Sequence, residues 1–311
     1  MTYALTLLTF FCIAIILAMS LNLVMGYTGR VSVAHGGFMA VGAYGTAWFA
    51  INAEMNLVWA MLVGAAVAGV VGWIFGAATA RISGDEFILA SFALQMVLIE
   101  MISRWASVTR GTYGLSGIPR PVLFGQRLSD VESFAAFVVV VTLLCGAFVL
   151  RLGHSTFGLA LRGVRESERS MQALGRNTTS LKAVAFVIAS CLAGIAGGLQ
   201  ASMVSFIHPD NFGVMVSIIV IAYLLVGGLG SMLGAALGAV MLLSIPEVIA
   251  ATDWIPTNLL GPLERVLYGL ALILFVWLRP QGLLPERPIL NVARMRRRGL
   301  VTIPDPQEVT R

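Results

Sequence analysis

Charge is scarce in this sequence of 311 residues. Only 11% of the residues are charged, whereas soluble proteins average about 25%. Hydrophobic residues make up 58%, and the mean hydropathy is +0.90. A water-soluble globule of this composition could not cover its surface with polar groups. The shortage of charge therefore argues against a soluble enzyme or a disordered chain and indicates a protein that crosses a membrane several times.

Lysine, cysteine and histidine are also rare. Lys182 is the only lysine among 20 basic residues, and Ala183 follows it, so the Lys-[Ser/Thr] pair of an ATP-binding P-loop is missing. The three cysteines lie far apart in apolar stretches, without zinc-ligand or disulfide spacing. The three histidines are isolated, and no serine-hydrolase or zinc-protease motif occurs. We predict no metal site, no catalytic site and no cofactor bound by this chain.

Long apolar stretches predict about nine transmembrane helices. Crossing the hydrocarbon core takes about 20 apolar residues, and the glycines of 227–231 divide one overlong stretch in two. The predicted spans lie in residues 1–29, 31–53, 55–80, 87–103, 133–150, 183–209, the two parts of 211–246, and 263–278. The sequence thus predicts an all-α polytopic membrane protein. Residues 1–280 would form the membrane domain, and residues 281–311 a basic, flexible cytoplasmic tail.

The distribution of arginine predicts the orientation. Basic residues near span ends favour the cytoplasmic side, and they concentrate in the loop 153–180 and in the tail. With nine spans, a cytoplasmic C-terminus places the N-terminus outside. The first basic residue is Arg30, so we interpret the first apolar run as a retained span and not as a signal peptide. The four arginines of the loop 104–132, external in this scheme, run against it.

Glycine-rich stretches predict irregular backbone in two places, residues 26–45 and residues 227–238. Non-helical backbone at membrane depth must be buried in protein or line a cavity, and transporters often place it along the pathway. Close helix packing through small residues is the other interpretation. For polar residues within spans, hydrogen bonding between helices is the alternative to a pathway role. The candidates for a translocation pathway are Asn22, His35, Gly36, Gln95 and Gly228.

The loop 153–180 contains a predicted amphipathic helix over residues 157–175. Its apolar residues recur at steps of three and four, and Gly175 is typical of a helix end. Such a helix between two spans lies on anionic lipid or docks its apolar stripe into a groove on a partner. The stripe consists of Phe157, Leu161, Val164, Met171 and Leu174.

At this point the sequence resembles a known family. Residues 168–175 resemble the Glu-Ala-Ala…Gly cytoplasmic loop of ABC importer permeases, although Ser170 and Met171 stand where two alanines are usual. Other stretches are similar, in the same order, to the LivM-type permeases of branched-chain amino acid importers. They are residues 21–29, 32–38 with 42–44, 111–119, 227–231 and 279–284.

The resemblance implies half of a transporter in the bacterial inner membrane. It implies a second, LivH-type permease, two cytoplasmic ATPase subunits that carry ATP and Mg²⁺, and an external solute-binding protein. Glu166 is expected to pair with arginines of its own helix, as exposed charges at this spacing do, and Glu168 either pairs in this way or meets the ATPase. The residues implied in coupling to the ATPase are Glu168, Ala173, Leu174 and Gly175, and those implied in contact with the binding protein are Tyr113 and Ser116.

Other functions stay open at this stage. The main alternative is a secondary transporter or channel for small polar solutes that needs no ATPase. A membrane enzyme would require a cluster of titratable residues at one depth, which the nearly charge-free spans do not provide. The arginines of 294–298 follow the last predicted span, so we expect them to rest on anionic lipid and not on nucleic acid. The sequence does not specify whether a branched-chain amino acid, a related one or a short amide is carried.

Overall fold

The structure is a computed structural model. It describes residues 2–82, 84–123, 126–128 and 130–250, together with 269, 270, 273, 277, 279, 282–284 and 286. Its helices are α1 (Thr2–Thr28), α2 (His35–Asn52), α3 (Leu57–Ala78), α4 (Asp85–Arg104), α5 (Ala106–Thr109), α6 (Val131–His154), α7 (Thr156–Glu166), α8 (Glu168–Ala173), α9 (Thr178–Val204), α10 (Val214–Gly227) and α11 (Met232–Ala250). Short strands are β1 (Leu115–Ser116), β2 (Val122–Leu123), β3 (Gln126–Arg127) and β4 (Phe206–Ile207), and 3₁₀ turns occupy Gly111–Tyr113 and Pro209–Phe212.

Helices occupy the predicted spans wherever the chain is described. Six helical segments, α1, α3, α4, α6, α9 and Pro209–Gly227, are long and apolar enough to cross a bilayer. The predicted second span coincides with α2, and the second part of 211–246 with the shorter apolar helix α11. The predicted span 263–278 lies outside the described residues except for isolated positions. The protein is therefore a mostly helical polytopic chain, and the count of nine is not confirmed.

Glycines bring α2, α3 and α9 into close contact. A Cβ atom built on Gly194 of α9 would lie 2.9 Å from the Cα of Ala65 and 3.0 Å from the Cβ of Ala68, both on α3. Small residues at such crossings let helix backbones approach closely in membranes. Part of the predicted irregular stretch 26–45 is therefore regular, because α2 begins at His35 and its glycines serve packing. Only residues 29–34 of that stretch are non-helical.

The predicted single helix over 157–175 is wrong in one respect, because the chain forms two helices there. Ser167 lies between α7 and α8 in an extended conformation (φ −158°, ψ 102°), and its hydroxyl accepts a hydrogen bond from the amide of Ser170 at 3.2 Å. A serine in this position caps a new helix and competes with continuation of the old one. The division at Ser167 allows α7 and α8 to contact different parts of the bundle.

The predicted apolar stripe is divided between these two helices. Leu161 and Val164 of α7 are buried against the helices of the same chain, whereas Leu174 after α8 is 76% exposed. The sequence pattern predicted that the whole stripe lies on lipid or on a partner. Burial of Leu161 and Val164 within the chain rules this out for the α7 part. The first part of the stripe fastens α7 to the membrane helices, which leaves the end of α8 as the open surface.

Candidate coupling site

Two arginines on successive turns fasten α7 to the bundle. Nη2 of Arg162 donates to the hydroxyl of Tyr27 at 2.9 Å, and its guanidinium lies 4.5 Å from the centre of the Tyr27 ring. Arg165 donates to the carbonyl oxygen of Gly26. Both arginines also pair with Glu286, at 2.9 Å from Arg162 Nε and 2.5 Å from Arg165 Nη2. We call these five residues the Glu286 cluster, and it joins α7 to the last turn of α1.

A second group of charges fastens α8 to the start of α9. Oε1 of Glu168 lies 2.5 Å from Nζ of Lys182 and accepts a hydrogen bond from the hydroxyl of Thr178 at 2.9 Å. Nζ of Lys182 also donates to the carbonyl oxygen of Ala80 at 2.7 Å, and this lysine is only 2% exposed. These residues, with Arg30, form the Lys182 cluster. Glu168 thus pairs with the only lysine of the sequence and not with an arginine of its own helix.

Arg30 completes the Lys182 cluster from the α1–α2 connection. Its guanidinium donates to the carbonyl oxygens of Thr79, Ala80 and Ile82 at 3.1, 2.9 and 2.7 Å. These carbonyls follow the last turn of α3, where free carbonyl groups favour a cation. Arg30 and Lys182 therefore meet at Ala80 and connect α2, α3, α8 and α9 at one end of the bundle, which we call the coupling end.

We predict that Glu168→Gln destabilises the protein at neutral pH. The variant leaves the buried Lys182 without its anion, which costs about 1–3 kcal/mol when a buried group loses its partner. Burial raises the pKa of Glu168, but the hydrogen bonds from Lys182 and Thr178 outweigh it, so the net pKa is lowered. A lowered folded-state pKa adds stability above the unfolded-state value of about 4.3, and that stability is lost as the pH falls through the folded-state pKa.

Thermal unfolding in detergent at several pH values measures this effect. The difference in midpoint between the wild type and Glu168→Gln should be largest at neutral pH and should narrow in acid. Glu166→Gln is the matched control, since the Glu166 side chain is 77% exposed and 3.5 Å from Arg165, a surface geometry of little energetic value. Equal midpoints for Glu168→Gln and the wild type at neutral pH would contradict the prediction.

The predicted coupling residues do not share one environment. Glu168 turns inward to the Lys182 cluster, whereas Ala173, Leu174 and Gly175 are exposed at the end of α8. Gly175 has φ +76°, and a Cβ built on it would have no atom within 4 Å. A left-handed glycine after a helix is a typical helix end. The structure thus presents residues 173–175 as an open surface, which we call the α8 tip, and their contact with an ATPase stays a prediction.

Asn22, a candidate pathway residue, bonds to the connection between α10 and α11. Its Oδ1 accepts from the amide of Gly230 at 3.0 Å, and its Nδ2 lies 3.4 Å from Sδ of Met232. Gly228 ends α10 with φ +116°, and Gly230 has φ +80°. The predicted irregular backbone therefore exists at 228–231. Asn22 is fully buried, and its side-chain oxygen accepts the hydrogen bond of a Gly230 amide that no helix partner satisfies.

Gln95 performs a similar task at the start of α2. Its Oε1 accepts from the amide of Gly37 at 2.5 Å, and its Nε2 donates to the carbonyl of Phe212 at 2.8 Å. The amide of Gly36 donates to Ser217 Oγ at 2.8 Å. His35 is fully buried, with its ring edge-on to Phe38. These hydrogen bonds join different elements, as the alternative interpretation of polar residues in spans predicted. The pathway role stays a prediction.

The residues predicted to meet a binding protein lie at the opposite end of the bundle. β1 pairs antiparallel with β4, with Leu115 opposite Ile207 and Ser116 opposite Phe206. Tyr113, just before β1, is 90% exposed. Ser116 lies in this two-residue ladder on its exposed side, opposite Phe206, whereas Leu115 and Ile207 are buried. The partner of Tyr113 and Ser116 stays a prediction.

Comparisons with known proteins agree with this architecture. A family model described as "Branched-chain amino acid transport system / permease component" matches residues 3–276. The permease protein LivM of the high-affinity branched-chain amino acid transport system is 30% identical in Salmonella typhimurium, over 92% of this chain and 71% of the relative. The Escherichia coli LivM protein is 29% identical, over 90% and 70%.

More distant relatives include the second type of permease. The LivH permease protein of Escherichia coli is 25% identical, over 86% of this chain and 90% of its own length. No solved structure matches. The family match covers most of the sequence, and the apolar helices fit an integral membrane protein. The chain therefore belongs to the family of permease components of branched-chain amino acid transport systems.

Proposed function

We propose that this permease subunit forms half of the translocation pathway of an ABC importer for branched-chain amino acids in the bacterial inner membrane. It would pair with a LivH-type permease, two ATPase subunits that bind ATP and Mg²⁺, and an external solute-binding protein. The α8 tip would lie on the cytoplasmic side with the C-terminus, and the N-terminus outside. Relatives named for this transport system support the substrate class and the second permease.

One observation carries the proposal of an ATPase partner. The element between α6 and α9 is held to its own chain by Arg162, Arg165 and Glu168. The α8 tip is exposed, with Leu174 at 76%. An exposed apolar side chain on an amphipathic helix can dock into a hydrophobic groove on a partner, and here the helix that carries it is held in place. The Lys182 cluster holds it, through Glu168 in the first turn of α8.

The test is affinity purification of the tagged chain from native membranes, followed by mass spectrometry. We expect a second permease and P-loop ATPases to copurify in mild detergent. Recovery of the chain alone or as a homo-oligomer, although the ATPases are detected in the same membranes, would overturn the proposal and favour a transporter that works without them.

Substrate class requires a separate assay. Proteoliposomes that contain the purified complex and its binding protein should take up leucine in an ATP-dependent manner, and valine and isoleucine should compete. Urea and acetamide at the same concentration are the controls, because short amides could use the same scaffold. Competition by the amides but not by valine would overturn the assignment to branched-chain amino acids.

A further inference from the structure

We propose that Glu286 is a positioning residue that makes α7, the end of α1 and the end of α10 move as one body. This inference rests on the proposed function, since it assigns the route by which movement at the α8 tip reaches the membrane helices. It depends on three sets of contacts, of which the Glu286 carboxylate makes the first. No sequence motif pointed to this residue.

The first set joins Glu286 to α7. Arg162 and Arg165 are three positions apart, so they project from one face of the helix. Each binds a different oxygen of the carboxylate, Oε1 with Arg162 and Oε2 with Arg165. The side chain of Glu286 is 17% exposed, and those of the arginines are 16% and 26% exposed. Arg165 hydrogen-bonds to the carboxylate, and Arg162 is attracted to it as an ion pair without hydrogen-bond geometry. A shift of α7 away from Glu286 would therefore separate both charges from their anion.

The second set joins the segment before Glu286 to α10. The amides of Leu283 and Leu284 donate to the carbonyl oxygens of Val226 and Gly227 at 2.9 and 3.0 Å. These carbonyls belong to the last turn of α10, which has no helical amide of its own to bind them. Gly282 lies so close that a Cβ built on it would be 3.0 Å from the carbonyl carbon of Gly227. Residues 282–284, which stand near the start of the predicted tail, are therefore fastened to α10.

The third set joins α7 and the α10–α11 connection to α1. Arg162 and Arg165 bond to Tyr27 and Gly26 in the last turns of this helix. One helical turn earlier, Asn22 accepts from the amide of Gly230 in the connection that follows α10. The contacts thus form a closed ring through α7, Glu286, α10 and α1. Breaking a member of this ring leaves a largely shielded polar group without its partner, which is costly. A displacement of one helix therefore favours movement of the others with it.

The Lys182 cluster defines the other moving part. It holds α8 to α3 and α9 through Glu168, Lys182 and Arg30. Ser167 is the junction between the two parts, with its extended backbone. A cavity of about 280 Å³ borders Glu286, between Leu150, His154 and Leu233, and gives the ring space to move. Pressure on the α8 tip would then open or close the angle at Ser167.

The experiment compares transport with ATP hydrolysis in the reconstituted complex. Glu286→Gln keeps the shape of the side chain and removes the charge that both arginines share. We expect the complex to assemble and hydrolyse ATP, while leucine uptake per ATP falls about fivefold or more, the scale of a typical coupling between sites. Glu100→Gln is the matched control, because it removes an exposed ion pair with Arg104 at the opposite end and should leave the ratio unchanged.

The outcomes separate this inference from the proposed function. Unchanged uptake per ATP in an assembled Glu286→Gln complex would overturn the inference and leave the proposed function intact. Failure of the wild-type chain to copurify with ATPases would overturn the proposed function itself. If Glu286→Gln does not assemble, the uptake per ATP of Arg165→Gln is measured instead. This variant removes one of the two ion pairs of Glu286 and the bond to Gly26, and keeps Arg162. A parallel loss of uptake and hydrolysis in that variant would indicate a merely structural role and count against the inference.

Discussion

The Leu174→Asp variant is expected to lose the ATPase subunits while the permease stays folded. Leu174 is 76% exposed in the isolated chain, so a carboxylate there remains hydrated and the fold tolerates it. In a docked complex the same carboxylate would be taken out of water in an apolar contact, which is costly. A hot-spot residue costs about 2 kcal/mol or more when it is lost, which is roughly a 30-fold weaker complex, and this is the effect expected if the tip docks through Leu174. Copurification with quantitative mass spectrometry measures the loss.

The opposite end of the molecule supplies the matched control. Tyr113→Asp makes the same kind of change, from a large exposed side chain to a carboxylate, at a position 90% exposed. We expect this variant to keep the ATPases and to lose the stimulation of ATP hydrolysis by the solute-binding protein. ATPases retained in full by Leu174→Asp, or lost equally by both variants, would contradict the assignment of the α8 tip.

Local patterns in the sequence were sufficient to locate the long membrane helices. Apolar runs placed α1, α3, α6 and α9 within a few residues, because a membrane helix satisfies its backbone internally and needs only a long apolar stretch. The break at 228–231 followed from its glycines, two of which have positive φ. The break at Ser167 was missed. Its signal was Ser167 with Glu168 in the first turn, which is typical of a helix start.

The charge clusters could not be read from spacing along the chain. Arg165 meets Glu286 from a position 121 residues away, and Arg30 meets Ala80 from 50 residues away. Glu168 had Arg165 three positions before it, within reach on a continuous helix. It pairs instead with Lys182, since α8 begins after a break and turns its first residue to α9. The one available hint was compositional. A single lysine in a sequence that otherwise uses arginine marked a special position, although not its partner.

The packing of α2 against α9 gives the last prediction, which compares two glycines within membrane helices. Gly197→Ala is expected to destabilise the protein. A Cβ there would meet the carbonyl group of Met39 and lie 2.9 Å from the amide nitrogen of Ala43, all of it backbone. No side chain can rotate away to relieve this clash, so the two helices must separate. Overpacking of this kind costs about 1–3 kcal/mol and occasionally more.

Gly146→Ala in α6 should have the opposite sign. The nearest atom to a Cβ on Gly146 is Sδ of Met19 at 3.8 Å, an ordinary van der Waals contact, and alanine is a better helix former than glycine by up to about 1 kcal/mol. Thermal unfolding of the two purified variants in the same detergent measures the difference. The close α2–α9 contact would be refuted if Gly197→Ala unfolded at or above the wild-type temperature. If Gly146→Ala unfolded below the wild-type temperature, helix propensity would not determine the stability effect of substitutions at uncrowded positions in this bundle.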